Sequence, residues 1–329
     1  MHRYRSNRRR ALRAAAGLVV ALAAGAAAAQ GYPTKPIRLL VPLAAGSTAD
    51  IVSRFAGQEL SKALGQPVVI ENKPGAGGTI AMAELARAAP DGYTLILANI
   101  GPFALAPSMM GKPPYDPLKD FTAIGQIVST YFVAAVPVAL PPKSMSEFVA
   151  WAKANDGKVN FASGGNASIT HLNGELVNMV AGVRMTHVPY KGSAPAVTDL
   201  IAGQTQLLID VGSVLTPQVK AGKLRAIAVT SPERDPQLPD VPTMRESGFA
   251  QLETAGWQGL MGPPGMPRDV VVRIATELGK VLARPDVQKK FADAATPVTL
   301  RGPDEFAAFV AAENRRWLPV IKASGAKIE

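Results

Sequence analysis

The sequence predicts an α/β protein, on two observations. Short apolar runs of strand length alternate with longer amphipathic runs of helical period along almost the whole chain. Several of these strand-to-helix junctions pass through turns of small residues, the arrangement of a mainly parallel sheet covered by helices.

In order, strands are expected at 37–41, 68–71 and 93–98, with an amphipathic helix over 51–64 that places Ile51, Val52, Phe55, Leu60 and Leu64 on one side. A second helix over 79–89 is stopped by Pro90, and the Asp91-Gly92 turn precedes the third strand. An extended apolar segment covers 131–138 and a helix 144–154. A second series follows, with strands at 159–162, 185–188, 206–211 and 224–229 and helices between them. Pro- and acid-rich loops occupy 231–249, an apolar run covers 257–261, and helices at 269–283 and 304–323 end the chain.

The first thirty residues read differently. Six arginines, Arg3, Arg5, Arg8, Arg9, Arg10 and Arg13, precede the apolar run 14–24 and the Ala27-Ala28-Ala29 tract, the layout of an export signal cleaved near Ala29. Removing it lowers the formal charge from +10 to about +4, spread among acids, which argues against nucleic-acid binding. No later stretch reaches the roughly 20 apolar residues of a membrane span. The chain has no cysteine, so disulfides, thiol nucleophiles and Cys-based metal sites are excluded.

The junction 41–50, VPLAAGSTAD, is the strongest candidate site. The first amides of a helix lack intrahelical acceptors and lie at the positive end of its dipole, so this turn can receive a carboxylate without a cationic side chain. Ser47 and Asp50 also form an S-x-x-D capping pattern, which by itself describes an ordinary helix start. A second junction, 161–168, repeats the design with Ser163, Asn166 and Ser168 as polar groups and Gly164 and Gly165 allowing close backbone approach. A third, 188–195, offers Tyr190 and Gly192, with Ser193 as the expected helix cap.

The glycine-rich 71–78 stretch lacks G-K-[ST] and contains Pro74, so it fits a nucleotide loop poorly. His171 and Glu175, one helical turn apart, could join His187 in a zinc site, and Ser168 with His171 could be cast as nucleophile and base. No G-x-S-x-G elbow supports the latter.

Together the segments VPLAAGSTAD, VVIENKPGAGGTIA, PDGYTL, ASGGNASITHLNGEL, VPYKGSAPAVTDLIAGQ, AGKLRAIAVTS, LPDVPTMRESG and WQGLMGPPGMP, in this order, resemble the substrate-binding proteins of tripartite tricarboxylate transporters, the Bug-type periplasmic receptors. The resemblance implies a type II periplasmic-binding-protein fold with two lobes around a hinged ligand cleft. Lobe 1 would comprise 30–130 plus 254–329, and lobe 2 would comprise 131–253. It implies a non-enzymatic receptor, acting as a monomer without cofactor or metal, that presents a small carboxylate to membrane permease subunits. An exported hydrolase or metalloenzyme, and a partner of a membrane sensor kinase, remain as alternatives.

On this reading Leu43, Ala45, Gly46, Ser47 and Ala49 form one side of the site, and Ser163, Asn166, Ala167 and Ser168 the other. Ser47, Ala49, Asn166, Ala167 and Ser168 hold a carboxylate, Tyr190 and Gly192 line the second-lobe wall, and Asn99 and Asp210 border the cleft. Ser47 and Ala167 stand where the family usually has glycine, and Leu43 where it often has an aromatic residue.

Overall fold

The computed structural model describes residues 31–327, so the expected export signal over 1–29 lies outside the described residues. The chain opens with β1 (Ile37–Val41), α1 (Thr48–Leu64), β2 (Val68–Asn72), α2 (Thr79–Leu85) and β3 (Thr94–Asn99). A π-helical turn at Gly101–Leu105 leads into the short α3 (Ala106–Met109) and then the long β4 (Thr122–Pro137). The middle of the chain comprises α4 (Met145–Ala154), β5 (Asn160–Ser163), α5 (Ile169–Ala181), β6 (Thr186–Pro189), α6 (Ser193–Ile201), β7 (Leu207–Val211), α7 (Gly212–Lys220) and β8 (Leu224–Val229). The last segments are β9 (Ala255–Gly262), α8 (Arg268–Leu282), α9 (Pro285–Asp293), β10 (Val298–Arg301) and α10 (Pro303–Ser324).

Among the described residues ten strands are hydrogen-bonded into one sheet, eight of them in the order β2-β1-β3-β9-β4-β7-β5-β6, with β8 and β10 off this path and paired to β4. The first part of β4, up to Tyr131, pairs with β9, and the part from Phe132 onward pairs with β7 and β8. One strand thus joins two sheet sections that each carry their own helices.

Local sequence explains most elements. Ser47 caps α1 by accepting from the Asp50 amide, and Gly65 ends it in a left-handed conformation. The buried stripe of α1 is Ala49, Val52, Ala56, Leu60 and Leu64. Ile51, expected on that stripe, is exposed, and Phe55 is half-buried. Ser144 and Ser168 cap α4 and α5 in the same way.

The expected helix over 79–89 ends at Leu85, and Ala86 to Ala88 form tighter turns. The extended segment expected at 131–138 is the second half of a strand twice that length. Its first half was hidden because Gly125, Gln126, Ser129 and Thr130 interrupt the apolar run there.

Candidate functional site

Strand sense brings the first two junctions toward each other. β1, β2 and β3 are parallel, β9 is antiparallel to β3, and β4 is antiparallel to β9, so β4 begins in the same sense as β1. In the other section β7 is antiparallel to β4, and β5 and β6 are parallel to β7. The C-terminal ends of β1 and β5 therefore point at one another across the Tyr131–Phe132 crossing. Asn99, at the end of β3, is level with Gln258 and through it with Val128 of β4, while Ala162 is level with Leu208 and through it with Ala135. The stretch of β4 between these levels spans at most about 23 Å, at ~3.3 Å per residue. The turns after β1 and β5 project into that interval.

In the first turn Gly46 adopts a positive φ of 81°. Its amide donates to Asp50 Oδ2 at 2.9 Å, and the Asp50 amide donates to Ser47 Oγ at 3.3 Å. The reciprocal arm of the expected capping pattern thus reaches Gly46 rather than Ser47 itself. With the Asp50 and Ile51 amides bonded to Ser47, the Thr48 and Ala49 amides have no acceptor among the described residues. Leu43, Ala45 and Gly46 are exposed, whereas Ala49 is buried and belongs to the core beneath α1. Asp50 is buried and held at a pKa of about 2, chiefly by the Arg54 guanidinium at 2.9 Å, with the Gly46 amide adding to it. Arg54 thereby offsets the one negative charge beside the turn.

The second turn is more heavily braced. Ser163 is fully buried, and its hydroxyl is hydrogen-bonded to His187 Nε2 at 2.6 Å and to the Gly165 backbone. The Gly164 amide donates to Thr170 Oγ1 at 2.9 Å, and the Ala167 amide donates to His171 Nδ1 at 3.2 Å. Ser168 Oγ accepts from the His171 amide and donates to the Gly165 carbonyl at 2.7 Å. The Ile169 and Thr170 amides are left without protein acceptors, and Asn166 is exposed with no partner for its side chain among the described residues.

These bonds divide the expected residues. Ser163 and Ser168 both have their hydroxyls engaged and Ala167 has given its amide to His171, so all three brace the turn, while the exposed Asn166 side chain and the Ile169 and Thr170 amides remain without partners among the described residues. Ala167 holds a φ of 61°, a conformation glycine adopts at no steric cost.

The third junction joins the second through the backbone, with the Tyr190 amide on the Ser163 carbonyl at 3.0 Å and the Gly192 amide on the Gly164 carbonyl at 3.1 Å. Tyr190 donates its hydroxyl to Asp199 at 2.7 Å, and burial together with Asp199 pushes that phenol up to about 12. Ser193, expected as a cap, is instead the first residue of α6, and Gly192 takes the cap position at φ 98°. The Ser193 hydroxyl donates to Asp210 Oδ2 at 2.5 Å, and the Val211 amide donates to Asp210 Oδ1 at 2.7 Å. Burial raises the Asp210 pKa, and both of its oxygens are occupied, so it orders the β7 end rather than offering a free charge. Asn99 Oδ1 accepts from the Gly101 amide at 3.1 Å.

His171, Glu175 and His187 do lie together, but the two imidazoles stack with centroids 3.7 Å apart and planes 10° apart. Parallel rings direct their nitrogens side by side rather than at a common point, and two of those nitrogens are bonded to Ala167 and Ser163. Among the described residues no cluster of His, Cys, Asp or Glu has a metal-binding arrangement. Ser168 Oγ contacts Gly165, Thr170 and the His171 amide, not an imidazole nitrogen, so the expected Ser168–His171 pair does not form, and the Ser–His contact that does form, Ser163 with His187, is fully buried at the serine. Sequence reasoning missed Thr170 and His187 as supports of the second turn. The alternation of 186–189 marked a strand but carried no sign of which neighbour it would meet.

Residues 52–326 match the family model described as tripartite tricarboxylate transporter family receptor. Protein BugT of Bordetella pertussis is 35% identical over 322 residues, covering 97% of this chain and 98% of its own. The solved structure of Rpa4515 from R. palustris with adipate is 32% identical with a TM-score of 0.72, covering 90% of this chain and 99% of that one. MatC from Rhodopseudomonas palustris with bound malate is 34% identical with a TM-score of 0.69, covering 88% of this chain and 100% of that one.

Proposed function

Because this chain belongs to the tripartite tricarboxylate transporter receptor family, we propose that it captures a small carboxylate between the 43–49 and 163–168 turns and presents the liganded form to membrane permease subunits. The observation that carries this reading is the pair of opposed strand-to-helix turns, each with two amides that have no acceptor among the described residues and neither with a Lys or Arg. Helix amides at the positive end of the dipole hold an anion by direction and shape, and they do not bind a cation there.

The lobes are residues 30–130 with 254–329, and 131–253, hinged where β4 changes partners at Tyr131 and Phe132. Contacts made to both turns only in a closed form shift the population toward closure, and the permease reads that shape. The relatives are binding proteins, and the stacked histidines and engaged serines favour a receptor over an enzyme. No helix among the described residues is long and apolar enough to cross a membrane, which fits a periplasmic receptor released by cleavage near Ala29.

The test is a thermal-shift screen of mono- and dicarboxylates. A ligand at 100 times its Kd adds about 2.7 kcal/mol to stability when it binds only the folded form. Ser168→Trp, which fills the second turn, should abolish that gain. Retained affinity in this variant would place the site elsewhere.

A further inference from the structure

Asn99 ends β3 and lies directly opposite Gln258 of β9. The alternation of side chains along each strand places them on the face of Leu95, Leu97 and Leu260, which share one apolar cluster with Ala49 and Val52 of α1. The β3 row, which packs under α1, thus ends at Asn99, and the β9 row beside it ends at Gln258. β1 and β3 are parallel, so this is the same sheet edge from which the 43–49 turn departs.

The two amides are half-buried, and each keeps one buried atom without a partner among the described residues, Nδ2 of Asn99 and Oε1 of Gln258. The Gly101 amide, donating to Asn99 Oδ1 at 3.1 Å, fixes the orientation of that side chain and leaves Nδ2 as the free donor. A donor and an acceptor therefore stand side by side on facing strands, about 5 Å apart at their Cβ atoms, and are not bonded to each other. Buried polar groups are rarely left in this state.

We infer that Asn99 and Gln258 form a hydroxyl subsite of the carboxylate pocket, so that the receptor prefers a hydroxy acid over its deoxy counterpart. This rests on the pocket proposed above. A hydroxyl accepts from Asn99 Nδ2 and donates to Gln258 Oε1 at once. An ionised carboxylate only accepts and an ammonium only donates, so either leaves one of the two unsatisfied.

The experiment measures Kd for three matched pairs, malate and succinate, lactate and propionate, 3-hydroxybutyrate and butyrate, on the wild-type protein and on Gln258→Met. In at least one pair the hydroxy acid should bind about tenfold more tightly or better, the scale of one or two hydrogen bonds. Gln258→Met should bring that acid to the level of its deoxy partner while leaving the partner's affinity unchanged, which also verifies that the variant is folded. Equal affinities within every pair, the result expected if a water fills the position, overturn the subsite alone. So does a variant that weakens both members equally. Absence of binding by all six acids, or binding that survives Ser168→Trp, overturns the carboxylate pocket and the subsite with it.

Discussion

His171 and His187 stack face to face at 3.7 Å, and each uses one ring nitrogen to hold the turn that precedes α5. His171 Nδ1 accepts from the Ala167 amide, and His187 Nε2 is bonded to the Ser163 hydroxyl. Phe161 continues the stack on His187 at 5.0 Å. The second turn is therefore braced from beneath by a pair of stacked rings, of which His187 is held in its neutral form by burial.

Stability should fall with acid for this reason. Burial pushes the His187 imidazole down to about 4 from an ordinary value near 6.5, with His171 adding to the shift and Glu175 opposing it. Between those values the unfolded chain binds a proton that the folded one does not, so the contribution is complete above about pH 6.5 and is lost as pH drops toward 4. Urea midpoints measured from pH 7.5 to 4.5 should decline through this window, and His187→Gln should flatten the slope while lowering the midpoint at pH 7.5. An unchanged slope in that variant would assign the acid sensitivity elsewhere.

Ser163 and Asn166 should separate structure from binding. Ser163→Ala removes buried hydrogen bonds and is expected to cost about 1–3 kcal/mol of stability. Asn166 is exposed and unpartnered, so Asn166→Ala should change stability by less than about 0.5 kcal/mol while weakening carboxylate affinity. Denaturant titration and calorimetry on the two variants measure both quantities.

Gly259 should not tolerate a methyl group. A Cβ there would lie 2.5 Å from the Phe306 ring and 2.7 Å from the Gly125 carbonyl oxygen, and backbone cannot swing aside. Gly259→Ala is expected to cost about 1–3 kcal/mol. Gly279, inside α8, has only an ordinary contact with Leu300 at 3.6 Å, so Gly279→Ala should stabilise by about 0.4–1 kcal/mol. Opposite signs in chemical denaturation are the expected result.

Asp50→Asn should loosen the first turn. The carboxylate accepts from the Gly46 amide and Arg54, and its pKa of about 2 lies below its ordinary value near 3.8. Its contribution is therefore present above about pH 4 and lost as pH falls toward 2. The variant should lose about 1–3 kcal/mol at pH 7, and the loss should shrink in acid.

Much of the fold was legible because its signals are local. Ser47, Ser144 and Ser168 announce helix starts through bonds three residues long, and Gly65 and Gly182 end α1 and α5 by adopting φ values that other residues resist. The first half of β4, the short α9 and β10 carried weaker signals. β10 is four residues long and exists through its pairing with β4, more than 170 positions earlier in the chain. The sequence marks Ser163 and Ser168 alike as turn hydroxyls; Ser168 finds its partners within its own turn, whereas only the return of β6 beside β5 brings His187 to Ser163.

The sequence by itself determined the α/β alternation, the three small-residue junctions and the family, since caps, periodicity and motif order need only neighbours along the chain. Tertiary structure decided which groups in those junctions are spent on holding the turn and which remain free, and it set Asn99 opposite Gln258. Those outcomes depend on strand sense and register, which are fixed by the packing of side chains far apart in sequence and cannot be read from any one segment.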